Sequence, residues 1–224
     1  MRAMMEKTES LNQSKLQNLL KSLKFSLHVI VRPFDGFWDL IHEKRGSIGA
    51  ANIIFIMVLI TNVLKMQFTS FLFYRIQLEY VNMFKVLLGI IVPFGIWCVS
   101  NWSLTTLMDG KGSLKDIYMA TAYAFTPYVL INLPMTVISN LITLEEGAFY
   151  QYFIAFAMLW CIFLILCAMM MIHDYSMGKA IFSSLLTIVG MGVIIFLTLL
   201  FFSLISDGIG YLISLYKEIV FRFY

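Results

Sequence analysis

Five stretches of this chain carry no charged residue, and each is long enough to cross a bilayer as a helix. They are residues 48–64, 86–108, 117–143, 147–172 and 180–206. Crossing roughly 30 Å of hydrocarbon takes about 20 predominantly apolar residues. Backbone polar groups inside lipid must be satisfied within the span, which a helix does by itself. Apolar residues make up 60% of the chain and charged ones 13%, against about half and a quarter in soluble domains. A soluble fold is therefore excluded, and the expectation is an all-α polytopic integral membrane protein, a five-span helical bundle.

The third span organises the rest. It opens at a polar turn, Asp109-Gly110-Lys111-Gly112-Ser113, where Gly110 and Gly112 supply turn geometry. Ser113 followed three residues later by Asp116 predicts an N-cap and an acidic first turn. A helix should start near Leu114, run to about Phe125 and break at Pro127. Pro134 can bend or break the chain again, since proline removes a backbone donor. Tyr123 and Pro127 are the residues expected to shape the bend. A broken helix at membrane depth needs protein neighbours to satisfy the freed carbonyls, so the other spans should pack around it. Ala120 and Ala124 offer a small-residue contact there, as do Gly46, Gly49, Ala50 and Ala51 at the first span.

Ahead of the spans the chain divides in two. Residues 1–13 are polar and read as a disordered tail. In residues 14–47, Leu16, Leu19, Leu20, Leu23, Leu27 and Ile30 recur at helical spacing, with Lys15, Lys21 and Lys24 off that stripe. A basic amphipathic helix on the membrane surface fits this pattern; packing against other segments of the protein is the alternative. Pro33 ends that helix, and Phe34, Phe37 and Trp38 are expected to anchor a short second interfacial helix in the headgroup layer. Residues 48–206 form the span domain. Asp207, Gly208 and Gly210 should break the last span, leaving 207–224 as an interfacial or re-entrant segment. The aromatic connection between the first two spans, with Phe68, Phe71, Phe73, Tyr74 and Tyr80, is expected to lie along the opposite interface.

Eight of the 16 basic residues precede the first span. Loops rich in Lys and Arg stay in the cytoplasm, so the N-terminus is expected there, together with the turns at 109–115 and 173–179. The loop with Glu145 and Glu146 then falls outside.

Catalytic chemistry finds little to work with. No window contains Asp, Glu, Lys, Arg or His, the residues that ion-coupled transporters usually bury. Cys98, Cys161 and Cys167 lie inside spans and read as small buried hydrophobes. Gly110-Lys111-Gly112-Ser113 lacks the preceding strand and full spacing of a phosphate loop. His173-Asp174-Tyr175 reads as a polar helix end, and Asn52, Asn62, Asn101, Asn132, Thr121, Thr126 and Thr136 as interhelical hydrogen-bond formers. No catalytic residue, cofactor, metal or nucleic-acid ligand is expected.

The run from Gly110 to Tyr118, leading into Ala122-Tyr123-Ala124-Phe125-Thr126-Pro127-Tyr128, resembles the bacterial branch of the Yip domain family. The segment 33–40, the basic hinge after it and Lys179-Ala180-Ile181 share the likeness, which covers roughly residues 25–220. The resemblance implies a five-span bundle with a cytoplasmic N-terminus and no catalytic residues. Eukaryotic relatives are Ypt/Rab-interacting membrane proteins, but their Asp-Leu-Tyr-Gly-Pro signature is missing here, so Rab binding is not implied. Gene neighbourhoods of bacterial members imply a transporter accessory role. The expected function is a non-enzymatic membrane adaptor or assembly factor, accessory to a transporter or to membrane trafficking. Its partners would be the lipid bilayer and a membrane protein, such as a transporter subunit or a second copy of the chain. A passive channel or small-solute transporter is the alternative.

Overall fold

The computed structural model describes the backbone of residues 2–73 and 81–223, and the side chains of residues 17–73 and 81–222. The described residues form eight helices: α1 (Arg2–Val31), α2 (Pro33–His42), α3 (Ile48–Phe68), α4 (Met83–Leu107), α5 (Leu114–Ala124), α6 (Thr126–Ile138), α7 (Gly147–His173) and α8 (Met177–Phe223). Among the described residues five segments have the length and apolarity to cross a membrane: α3, α4, α5 with α6, α7 and α8. No strand occurs among the described residues.

The α5–α6 span is the centre of the bundle. In its apolar 18-residue window 56% of the residues are buried, against 33% or less in the corresponding window of each other span. Helix α5 packs on α1, α2, α3, α4 and α7, and its inward residues Ile117, Ala120, Tyr123 and Ala124 have no exposed surface. Ala50 and Ala51 of α3 are equally buried, as close helix approach requires. Helices α4 and α8 form a second layer, joined to the first by α4 against α5 and α8 against α7.

The local chemistry of the third span matches its sequence. Ser113 accepts from the Asp116 N–H while Asp116 accepts from the Ser113 N–H, a reciprocal capping box that starts α5 at Leu114. Pro127 sits in the first turn of α6, where a missing N–H costs least. In an unbroken helix that N–H would bond the Tyr123 carbonyl four residues back. The Thr126 hydroxyl donates to this carbonyl instead, at 2.7 Å. Pro134 lies inside α6 without ending it.

At four places the structure adds to the sequence reading. Helix α1 begins at Arg2 and runs through the polar residues ahead of Ser14; Met, Glu, Lys and Gln are good helix formers that extend an existing helix cheaply. Its buried stripe is Ser22, Ser26 and Val29, while Leu20 and Leu27 of the leucine stripe stay exposed. So α1 both packs on the protein and presents apolar side chains outward. Phe37 is wholly buried and contributes nothing to a lipid-facing surface, whereas Phe34 and Trp38 are exposed. Gly36 allows this: a Cβ there would come within 2.8 Å of the Val29 backbone, so α2 folds tightly onto α1 and turns Phe37 inward.

The fourth concerns the C-terminus, where α8 runs unbroken through Asp207, Gly208 and Gly210 for 47 residues. Glycine costs about 1 kcal/mol in a helix but forbids nothing, unlike proline. Ser214 bonds back to Gly210, and Arg222 pairs with Glu218 across one turn. At 1.5 Å per residue the helix is about 70 Å long.

At the far end of the bundle, Asn140 donates to the Phe68 carbonyl at 2.7 Å and Ser139 accepts the Ser70 N–H at 3.1 Å. Phe73 stacks on Tyr150. Tyr74 and Tyr80 of the expected interfacial connection lie outside the described residues.

Candidate functional site

The opposite end, termed here the basal face, carries α1, α2, the 108–113 turn and the 174–176 turn. Each turn opens on an aspartate in the left-handed region, Asp109 at φ 58° and Asp174 at φ 52°. Aspartate tolerates that conformation better than most residues. Reversing the chain is therefore the work of the aspartates. Neither Gly110 nor Gly112 has a positive φ.

The glycines answer a different demand. A Cβ on Gly110 would lie 2.7 Å from His173 Nδ1 and 2.8 Å from both the Thr105 Cβ and the Tyr175 hydroxyl. One on Gly112 would collide with Ile172 and lie 2.8 Å from His173 Cε1. Absence of side chains lets the turn press flat onto the end of α7.

That contact is sealed by hydrogen bonds. The Gly112 N–H donates to His173 Nδ1 at 3.2 Å. An imidazole nitrogen that accepts carries no proton, which places the ring proton on Nε2. Nε2 then donates to Asn101 Oδ1 at 3.3 Å, and Asn101 Nδ2 donates to Thr187 Oγ1 at 3.1 Å. The Thr187 hydroxyl donates to the Ser183 carbonyl at 2.8 Å, and Ser100 donates to the Thr187 carbonyl at 2.9 Å. His173, Asn101 and Thr187 are essentially buried, so each has exchanged water for these partners. One chain of bonds thus ties the turn to α7, α4 and α8.

A second set lies outside it. Tyr175 and Lys179 both donate to the Met108 carbonyl, at 3.1 and 3.0 Å, and the Lys179 ammonium lies 4.3 Å from the Tyr175 ring centroid. Burial, followed by the Asp109 carboxylate, raises the Tyr175 phenol above its ordinary range. Lys111 bridges to Asp174 at 2.8 Å. Their hydrogen bond raises the Lys111 ammonium and lowers the Asp174 carboxyl.

The residues singled out in the sequence do not form one cluster. Gly110, Gly112 and Ser113 meet at the basal turn. Tyr123 is deeper: its hydroxyl donates to the Ser22 carbonyl at 3.2 Å and accepts the Ser47 N–H at 3.4 Å, linking α1 and the start of α3 to α5. Pro127 and Pro134 lie farther along the span. His173, Asn101, Thr187 and Tyr175 were not singled out as a set. The only local signal for them is polarity at helix ends within an apolar chain.

Among the described residues His173 hydrogen-bonds to the Gly112 N–H and to Asn101. Both of its ring nitrogens are spent on structural bonds, and no group of metal-ligating side chains occurs among the described residues. Cys98, Cys161 and Cys167 are buried and unpaired, as small hydrophobes. The arrangement fixes the shape of a surface.

Comparison with curated proteins and with solved structures returns no match. The family model described as "Yip1 domain" matches residues 27–211, which take in α2 to α7 and most of α8. The chain belongs to the Yip1 domain family, a family of multi-pass membrane proteins linked to trafficking.

Proposed function

We propose that this protein is a non-enzymatic membrane adaptor or assembly factor with its basal face in the cytoplasm. That face would receive a membrane-protein partner, such as a transporter subunit or a trafficking component. The observation that carries this reading is how the buried polar groups are used. His173, Asn101 and Thr187 are occupied in holding the basal turns against α4, α7 and α8. A preformed surface binds at lower entropic cost than one that must order on contact. Basic residues gathered on this face, including Lys21, Lys24, Lys44 and Lys179, favour the cytoplasmic side.

Gly110, Gly112 and Ser113 would set the shape of the receiving turn, and Tyr123, Pro127 and Pro134 the span beneath it. Phe34 and Trp38 would rest in the headgroup layer. The channel alternative needs a wet path along the bundle. Ile117, Ala120, Leu164 and Met169 fill its centre without exposed surface to speak of, which weighs against that reading.

The test is purification of tagged protein from its native membrane in mild detergent, with mass spectrometry of what accompanies it. A stoichiometric membrane-protein partner supports the adaptor reading. Recovery of the chain alone, together with solute flux after reconstitution into liposomes, overturns it in favour of a channel.

A further inference from the structure

A cavity of about 370 Å³ opens on the basal face between the end of α2, the hinge at 43–47 and the first turns of α5. Its floor is apolar, formed by Leu40, Ile41 and Met119, and Lys44 and Lys115 stand at its rim. The other cations nearby are spent. Arg45 bridges Asp39 and Glu43 at 3.2 and 2.6 Å, Lys111 bridges Asp174, and Lys179 donates to the Met108 carbonyl. Lys44 and Lys115 form no ion pair among the described residues.

The remaining polar groups of the cavity are occupied. Ser47 accepts the Ala50 N–H. Asp116 is the one carboxylate on its wall, and it receives the Ser113 N–H and hydroxyl at 3.1 and 2.6 Å. What the cavity offers is two unpaired ammonium groups above an apolar floor. Its depth adds to this, because the uncharged stretches of α3 and α5 begin beside it, at Ile48 and Ile117. Hydrocarbon therefore gives way to headgroups at this level.

We propose that this cavity binds the phosphate of an anionic phospholipid from the adjoining leaflet, with the glycerol and first methylenes over Leu40, Ile41 and Met119. A free phosphate shares the charge but leaves the apolar floor empty. A zwitterionic lipid has the floor contact but brings its own cation to the lysines. The proposal stands on the fold alone and holds whether or not the basal face receives a protein partner.

Native mass spectrometry of the full chain in detergent, titrated with phosphatidylglycerol and with phosphatidylcholine of equal chain length, tests it. Wild type should retain one phosphatidylglycerol in preference to phosphatidylcholine. A lysine beside an anionic lipid surface contributes about fivefold in affinity, so Lys44→Gln with Lys115→Gln should weaken retention by about 25-fold. Lys111→Gln, on the same face but paired in wild type, should leave it unchanged. Lys44→Arg with Lys115→Arg should keep it, which guards against loss through misfolding. Equal retention of both lipids, or full retention by the double glutamine variant, overturns the proposal. Displacement of the lipid by inorganic phosphate at equal concentration overturns it too, in favour of a soluble anion.

Discussion

Gly112 gives its backbone N–H to the Nδ1 of His173, 61 residues farther along the chain, at 3.2 Å. The bond joins a turn that would otherwise be free to the buried end of α7, and it sets the tautomer that lets His173 reach Asn101. Loss of either partner strands the other away from water.

The glycine is required by that approach, so Gly112→Ala should destabilise the fold by about 1–3 kcal/mol through overpacking. Gly192→Ala is the comparison, since a Cβ there meets nothing within 4 Å. It should be neutral or stabilising by up to about 1 kcal/mol. Thermal melts in detergent distinguish them, and equal melting temperatures would refute the close-approach argument.

His173→Phe should cost about 1–3 kcal/mol, because the buried Asn101 amide and the half-buried Gly112 N–H lose their partner. Asn101→Leu alone should cost a similar amount. Combined, they should cost clearly less than the sum, as expected of members of one network. A double-mutant cycle on melting free energies reads the coupling, and additivity would show that the two residues act independently.

Removing the hydroxyl in Tyr123→Phe deletes two buried bonds, to Ser22 and to Ser47, and should cost about 1–2 kcal/mol. Its particular signature is local: α1 should loosen from the bundle first. Hydrogen exchange in α1 should therefore accelerate more than exchange in α7, and uniform acceleration would contradict this assignment.

The Lys111–Asp174 pair gives a pH dependence with a definite sign. Its hydrogen bond holds the Asp174 carboxyl below its ordinary 3.8. The stabilisation it supplies is thus present above that value and lost as pH falls through the lower folded value. Lys111 is raised above 10.5, so its share is full below that and lost as pH climbs past the raised value. Wild type should melt slightly above Asp174→Asn from pH 5 to 9, with the gap closing below about pH 3.8. The effect is small because both groups are solvated, and a gap that widened in acid would reverse the sign.

Pro127→Ala restores an N–H able to bond the Tyr123 carbonyl and compete with Thr126. It should straighten the α5–α6 junction and weaken partner association more than expression. Quantitative blotting beside a pull-down checks this, and equal loss of both would make Pro127 a folding residue only.

The start of α5 and the break at Pro127 could be read directly because their causes are local. Ser113 and Asp116 cap one another across three residues, and Pro127 removes its own donor. Phe37 shows where local reading stops. Its aromatic neighbours Phe34 and Trp38 look alike in sequence, yet only Phe37 is turned inward, because α1 comes down onto Gly36. Continuity of α8 was missed for a related reason: Asp207 and the two glycines lower helix propensity without forbidding the helix, and propensity alone was too weak a guide.

Membrane residence, the existence of five spans, and the start and break of the third span follow from the amino-acid sequence. Each depends on uninterrupted apolarity or on partners within one helical turn. That His173 is the hub of the basal face, and that Gly110 and Gly112 serve close packing more than turn geometry, emerges from the folded chain alone. So does the part Tyr123 plays in holding α1 in place. Those roles depend on groups brought together from 60 to about 100 residues apart, and only folding sets which atoms arrive within 3 Å.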